Sequence, residues 1–173
     1  MKTFAVMAAA AIAAAGCSSM GMGAGGAKAV ASLEPTNGNT AHGTVTFTQR
    51  GDTVRVVAHV MGLKPGATHG FHVHEKGDCG SGDGMSTGGH FNPGGHPHGP
   101  QSGAHHAGDM PALTADAYGN VDATFDLAGV SVGGGAADLA GKGLIVHRDP
   151  DDYRTQPTGN AGPRIACAVI RRA

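Results

Sequence analysis

From Gly43 onward the chain alternates polar and apolar positions. Thr44, Thr46 and Thr48 interleave with Val45 and Phe47. Gly51-Asp52 interrupts the run, and Thr53 to Val60 resumes it with Val54, Val56, Ala58 and Val60 at every second place. Strand side chains point to opposite faces in turn, so this period of two predicts a β-hairpin with one buried face. Lys64-Pro65-Gly66 turns the chain into another alternating stretch at Gly70–Glu75, and further strands are predicted at Val121–Leu127, Gly143–His147 and Arg164–Ile170. Beyond the first residues no segment sustains a helical stripe. Short strands separated by glycine and proline predict an all-β domain, an antiparallel sandwich or barrel. Two long segments, Glu75–Asp109 and Arg148–Pro163, carry neither period; structureless loops of that length in a compact domain are functional or disordered.

The stretch Gly70-Phe71-His72-Val73-His74-Glu75 puts His72 and His74 on one face and Phe71 and Val73 on the other. Paired imidazoles on one face are either solvated histidines of an edge strand or half of a copper or zinc site. The pair alone does not choose. The loop that follows adds His90, His96, His98, His105, His106 and Asp109 among Gly88, Gly89, Gly94, Gly95, Gly99, Gly103 and Gly108. Glycine lets a backbone wrap closely around an ion. A low-complexity His/Gly tract that holds metal loosely is the plainer alternative.

Composition sharpens this. The 173 residues include 31 Gly and 11 His but only 5 Phe, 2 Tyr and no Trp, which suits one glycine-rich domain with few aromatic core residues. Lys and Arg number 12 against 13 Asp and Glu, a net charge of -1 with no basic block, which argues against a nucleic-acid partner.

The N-terminus reads as an export signal. Lys2 supplies positive charge, Phe4 to Ala15 is apolar but too short to span a bilayer, and Ala14-Ala15-Gly16 offers small residues before Cys17. This resembles a bacterial lipoprotein signal over residues 1–16, with Cys17 the lipidated residue. Ordinary cleavage nearby is the alternative, because Ala14 stands where leucine is commoner. Residues 17–27 read as a flexible tether, with Met20 and Met22 linker rather than copper(I) ligands, and 28–173 as the folded domain. The expected location is the periplasm or cell envelope, with membrane contact only through the lipid on Cys17. If Cys17 is lipidated, Cys79 and Cys167 remain as a pair for a disulfide in an oxidising compartment. Closing a loop of about 90 residues is worth roughly 4 to 5 kcal/mol in the chain-entropy model. Two buried free thiols are the alternative.

Several motifs follow one another in a specific order: Gly70-Phe71-His72-Val73-His74-Glu75, Gly89-His90-Phe91-Asn92-Pro93, His98-Gly99, His106-Ala107-Gly108-Asp109, Val146-His147 and Gly159-Asn160-Ala161-Gly162-Pro163-Arg164-Ile165-Ala166-Cys167. In this order the chain, from about Lys28 to Ile170, resembles the copper/zinc superoxide dismutases, and looks like an exported bacterial member. The resemblance implies an immunoglobulin-like Greek-key β-barrel or sandwich with two functional loops, one copper and one zinc per subunit, and superoxide as substrate. It implies copper ligands His72, His74, His90 and His147, and zinc ligands His90, His98, His106 and Asp109, with His90 shared. Asp151 matches an aspartate that tethers the outer nitrogens of copper and zinc histidines. Cys79 and Cys167 match the family's disulfide. In the family His90 also takes up and returns a proton during turnover, so His90 and Arg164 are the expected catalytic residues, Arg164 steering the anion.

The donor chemistry suits this split. Four imidazoles can hold copper in both oxidation states, and three nitrogens with a carboxylate form a closed tetrahedral zinc site. His42 and His59 read as surface residues, His69 as a structural hydrogen-bonder, and His96 and His105 as bystanders. Arg164 is expected to be exposed, so that its removal leaves stability nearly unchanged. The chain departs from the family pattern at Pro163, at Ala168 in place of a glycine, and at Arg148, which either steers substrate or pairs with Asp149 or Asp152. Lys76 is the other reserve steering charge. A rival reading is an exported, non-catalytic copper and zinc carrier or store, which would have no need of Arg164. The sequence is silent on oligomeric state and leaves a homodimer open.

Overall fold

The computed structural model describes residues 26–173 together with Met1. The expected signal segment, Cys17, Met20 and Met22 lie outside the described residues.

The alternating run forms the expected hairpin. Strand β2 (His42–Arg50) pairs antiparallel with β3 (Thr53–Met61) from Arg50↔Thr53 to His42↔Met61. Val45, Phe47, Val54, Val56, Ala58 and Val60 are all buried on its inner face. Fully burying side chains of this size stabilises by about 1.5 to 3 kcal/mol for the larger ones. β7 (Val121–Ala128) extends the sheet on the far side of β3. On the near side lies β1 (Lys28–Pro35), which the sequence reading did not predict. Its inward residues are Ala29, Ala31 and Leu33, and two alanines give an alternation too little apolar contrast to stand out.

β1 joins the two halves of the fold. Lys28–Leu33 pair with β2, while Glu34 and Pro35 pair with β9 (Arg164–Val169). β8 (Gly143–His147) and then β5 (Phe71–His74) follow, giving the order β5-β8-β9-β1-β2-β3-β7. Short strands β4 (Thr68–His69) and β6 (Leu113–Thr114) pair with each other, and β10 (Arg171–Arg172) pairs with β1. All of these pairings are antiparallel, and the curled sheet is a Greek-key β-barrel. Among the described residues there is no α-helix, only a 3₁₀ turn at Met85–Thr87 inside the first long loop.

β5 is where fold becomes site. Phe71 and Val73 enter the core, which turns His72 and His74 to the other side of the sheet, beneath the loops. One edge of β5 is paired with β8; the other is covered by the first loop. Gly108 O accepts from the Val73 N–H, and Val73 O accepts from the Phe91 N–H, both at 2.8 Å. This close approach requires glycine, since a Cβ on residue 108 would stand 2.2 Å from the Val73 carbonyl oxygen. The loop therefore finishes the sheet edge and delivers His90 and Asp109 opposite His74 and His72.

Candidate metal centre

Four imidazoles converge from three elements. β5 gives His72 and His74, the first loop gives His90, and the end of β8 gives His147. One ring nitrogen of each lies within 4.8 Å of the corresponding atom of the others. A second group, within the same limit, consists of His90, His98, His106 and Asp109. All seven residues are buried.

The outer nitrogens fix which atoms are free. His72 Nε2–H donates to Asp151 Oδ2 at 2.7 Å, His74 Nδ1–H to the Gly88 carbonyl at 2.9 Å and His147 Nδ1–H to the Gly162 carbonyl at 3.1 Å. Each ring thus keeps its proton on the outer atom and a lone pair on the inner one. His72 Nδ1, His74 Nε2, His90 Nε2 and His147 Nε2 are buried with no hydrogen-bond partner. Native folds seldom leave one such atom unsatisfied, and four that face one point match the needs of a copper ion.

The second group fits zinc. His90 Nδ1 lies 2.8 Å from Asp109 Oδ1, His106 Nδ1 3.4 Å from His90 Nδ1, and His98 Nδ1 3.0 Å from Asp109 Oδ2 without a hydrogen bond between the last two. Three nitrogens and a carboxylate oxygen are an ordinary closed zinc set. His90 is the one ring with a nitrogen in each group. Asp151 accepts from His98 Nε2 at 2.9 Å as well as from His72, so one buried carboxylate ties the two groups together behind their rings. A Cβ at position 159 would meet Asp151 Oδ1 at 1.8 Å, and Gly159 also has a left-handed φ of 65°, so only glycine lets the second loop pass this close.

Burial decides the charge states. It pushes His72, His74 and His147 below the ordinary imidazole pKa, with neighbouring His90 acting in the same sense; His147 falls to about 4. Neutral imidazole is the form that ligates metal. Burial pushes the Asp109 carboxyl up, but hydrogen bonds from His90 and the His106 N–H overcome it and hold Asp109 well below the usual carboxylate range.

A β-bulge at Val146/His147 shifts the register so that Arg164 on β9 lies directly opposite His147. Arg164 is not the exposed charge expected from sequence. It is half-buried, and its guanidinium donates to Gly84 O at 2.6 Å, Thr87 Oγ1 at 2.7 Å and Gly88 O at 2.7 Å. The barrel wall and the first loop hold it between them, and no carboxylate pairs with it among the described residues.

The model of the copper/zinc superoxide dismutase (SODC) family matches residues 41–170. The chain belongs to the copper/zinc superoxide dismutase family. Among solved structures it is similar to a double mutant of a SOD-like protein from Bacillus subtilis: 36% identity, TM-score 0.74, covering 82% of this chain and 96% of that one. It is also similar to the clock protein EA4, with 35% identity, TM-score 0.77 and coverage of 84% of this chain and 94% of that one.

The structure brings the expected superoxide dismutase residues together as two adjoining groups. Cys79 and Cys167 form a disulfide, with Cα atoms 6.0 Å apart, that pins the first loop to β9 across 88 positions of sequence. His42, His59 and His96 are exposed, and His105 bonds only the nearby Gly103 carbonyl. Buried His69 donates through Nδ1 to the His147 carbonyl at 2.8 Å, the structural role expected of it. Arg148 pairs with Asp149, rather than Asp152, through two bonds of 3.0 and 2.9 Å. Sequence reasoning missed the Gly88 and Gly162 carbonyls that orient His74 and His147. Backbone acceptors leave no signature in residue type.

Proposed function

We propose that the protein dismutes superoxide, turning two superoxide anions and two protons into dioxygen and hydrogen peroxide, with copper in the four-imidazole group and zinc in the His90, His98, His106 and Asp109 group. The observation that carries this reading is His90, one ring with a nitrogen in each of two buried donor sets. Copper held by His72, His74, His90 and His147 would supply the one-electron redox chemistry that this reaction needs.

The chain's own residues do the rest. Asp151, Gly88 O and Gly162 O fix the rings of His72, His74 and His147. Asp109 faces His90 Nδ1 and keeps that ring in place, leaving Nε2 as the atom that can hold a proton and hand it to the departing peroxide. His72 and His74 have no exposed surface and the His90 side chain is only 1% exposed, and in this reading the anion reaches the group beside His147, the residue that faces Arg164. Arg164, opposite His147, puts an unpaired positive charge beside that approach.

Family membership alone does not bring activity, since relatives of this fold include a SOD-like protein and a clock protein. The donor sets and Arg164 support turnover over mere metal storage. Metal analysis beside a dismutation assay is the test. The wild type is expected to carry one copper and one zinc per chain and to turn over. His90→Ala should lose affinity for both ions together with activity. Full metal content with no dismutation leaves the carrier reading, and wild-type affinity for both ions in His90→Ala overturns the shared ligand.

Export belongs to the same proposal. Ala15-Gly16-Cys17 motivates a lipid on Cys17 that holds the protein at the cell envelope. Cys17→Ser should release the protein from membranes or block its maturation; wild type recovered wholly soluble and unlipidated contradicts this.

A further inference from the structure

The second loop grips His98 from three directions. Asp151 holds the ring edge at 2.9 Å. Tyr153 lies parallel to the ring, with planes 6° apart and centroids at 6.4 Å. Tyr153 is itself fixed, its N–H donating to Asp151 Oδ1 at 2.7 Å and its hydroxyl oxygen accepting the Ala112 N–H at 2.9 Å. The third contact is to the backbone. The His98 N–H donates to Gln156 Oε1 at 2.8 Å, and Gln156 Nε2 donates to the His98 carbonyl at 2.9 Å.

Those two bonds run in opposite directions between one side chain and one residue, as in a rung of an antiparallel ladder. Only a carboxamide offers a donor and an acceptor at that spacing. Gln156 is exposed, so it adds little to the core, while His98 is 3% exposed and its backbone groups have few other partners to choose from. Of the donors in the second group, His98 is the one whose backbone is held from the other long loop. His90, His106 and Asp109 sit on a segment already bonded to β5 through Phe91 and Gly108.

We propose that Gln156 is a positioning residue for zinc, holding the backbone of His98 so that Nδ1 meets the other three donors. This rests on the reading of His98 as a zinc ligand. With His98 Nδ1 only 3.0 Å from Asp109 Oδ2, a small shift of its backbone misplaces one corner of a tetrahedral set. Tyr153 limits the tilt of the ring, and Gln156 limits the travel of its Cα.

Two variants separate this role from loop packing. Gln156→Ala removes both bonds. Gln156→Glu keeps the size and the acceptor but turns a carboxylate oxygen on the His98 carbonyl. Zinc affinity is measured by competition with a chelator, cobalt(II) alone is used as a spectroscopic probe of the site, and the metal-free protein is unfolded in urea. Both variants should bind zinc about tenfold more weakly, the low end of what loss of a ligand's supporting hydrogen bonds costs, and both should shift the cobalt absorption bands. The metal-free protein should unfold nearly as the wild type does. Zinc affinity and cobalt spectra unchanged in both variants overturn the proposal. So does weakening in Gln156→Ala alone, which would make Gln156 a space-filler. His98→Ala is the separate check on the underlying assignment: zinc bound as tightly as in wild type there removes His98 from the site whatever Gln156 does.

Discussion

At Arg164 the charge and the hydrogen bonds of one guanidinium serve different ends. Under the proposed function the charge draws an anion; the bonds to Gly84 O, Thr87 Oγ1 and Gly88 O tie the first loop to β9. Burial lowers the guanidinium's pKa from its ordinary value, with Asp83 opposing, and Arg164 in turn disfavours protonation of His74 and His147. Arg164→Ala therefore should act twice. Superoxide dismutases are among the enzymes that work near the diffusional ceiling, so a lost steering charge appears directly in the second-order rate. A fall of about tenfold is expected, with a weaker response to added salt than in wild type. The loop bonds add a loss of about 1 to 2 kcal/mol in stability, discounted for half-exposure, where an exposed arginine would have shown almost none. Lysine should restore part of the rate, because charge acts at long range, but not the loop order, because one ammonium cannot span the three acceptors. Glutamate should slow capture further. Pulse-radiolysis rates across a salt series, set beside urea unfolding, read both effects; a glutamate variant as fast as wild type at low salt would move the steering role elsewhere.

The elements differ in how openly the sequence announces them. The hairpin of β2 and β3 was legible because valines and a phenylalanine alternate with threonines, and β5 because its alternation carries imidazoles. β1 was not, since Ala29 and Ala31 face the core with little apolar contrast, and its pairing with both β2 and β9 is a property of the folded sheet. The candidate metal residues were legible through the order of motifs, yet that His90 belongs to both groups needed either the family or the geometry. The half-burial of Arg164 and the grip of Gln156 on His98 depend on loops that meet only after folding, 77 and 58 positions apart in sequence. The disulfide is the covalent form of the same docking, joining the first loop to the strand that bears Arg164. Replacing Cys79 and Cys167 by serine should lower the unfolding free energy by up to roughly 4 to 5 kcal/mol in the chain-entropy model, less where the unfolded chain keeps structure. Amide exchange should rise from Cys79 to Gly88, where the loop loses its anchor to β9. A double variant as stable as wild type, with the same exchange in that segment, would show that the hydrogen bonds alone dock the loop.

For the molecule as a whole, the net charge of -1 gives a small anion no reason to approach, so the proposed steering rests on the local charge of Arg164 opposite His147. The buried imidazoles that make the metal groups also set how the metal-free fold responds to acid. Burial, partly opposed by the Gly162 carbonyl and reinforced by His90, brings the His147 pKa down to about 4, whereas the same group in the unfolded chain titrates near 6.5. Between those values the unfolded chain binds the extra proton and the folded one does not, so stability rises with pH across this window and falls as pH drops through it. His72 and His74, held low by their own burial, act in the same direction. The contribution of His147 is complete above about pH 6.5 and gone below about pH 4, where both states are protonated. Moving from pH 7.5 to pH 5 should cost the metal-free protein about 2 kcal/mol through His147 alone, a large share of the stability of a typical domain. Urea unfolding of the metal-free protein at a series of pH values measures this, and His147→Gln should flatten the dependence by that amount. A metal-free protein that is equally stable at pH 5 and pH 7.5 would mean that water or protons reach these imidazoles as freely as in the unfolded chain, and that the neutral, metal-ready state is not built into the fold.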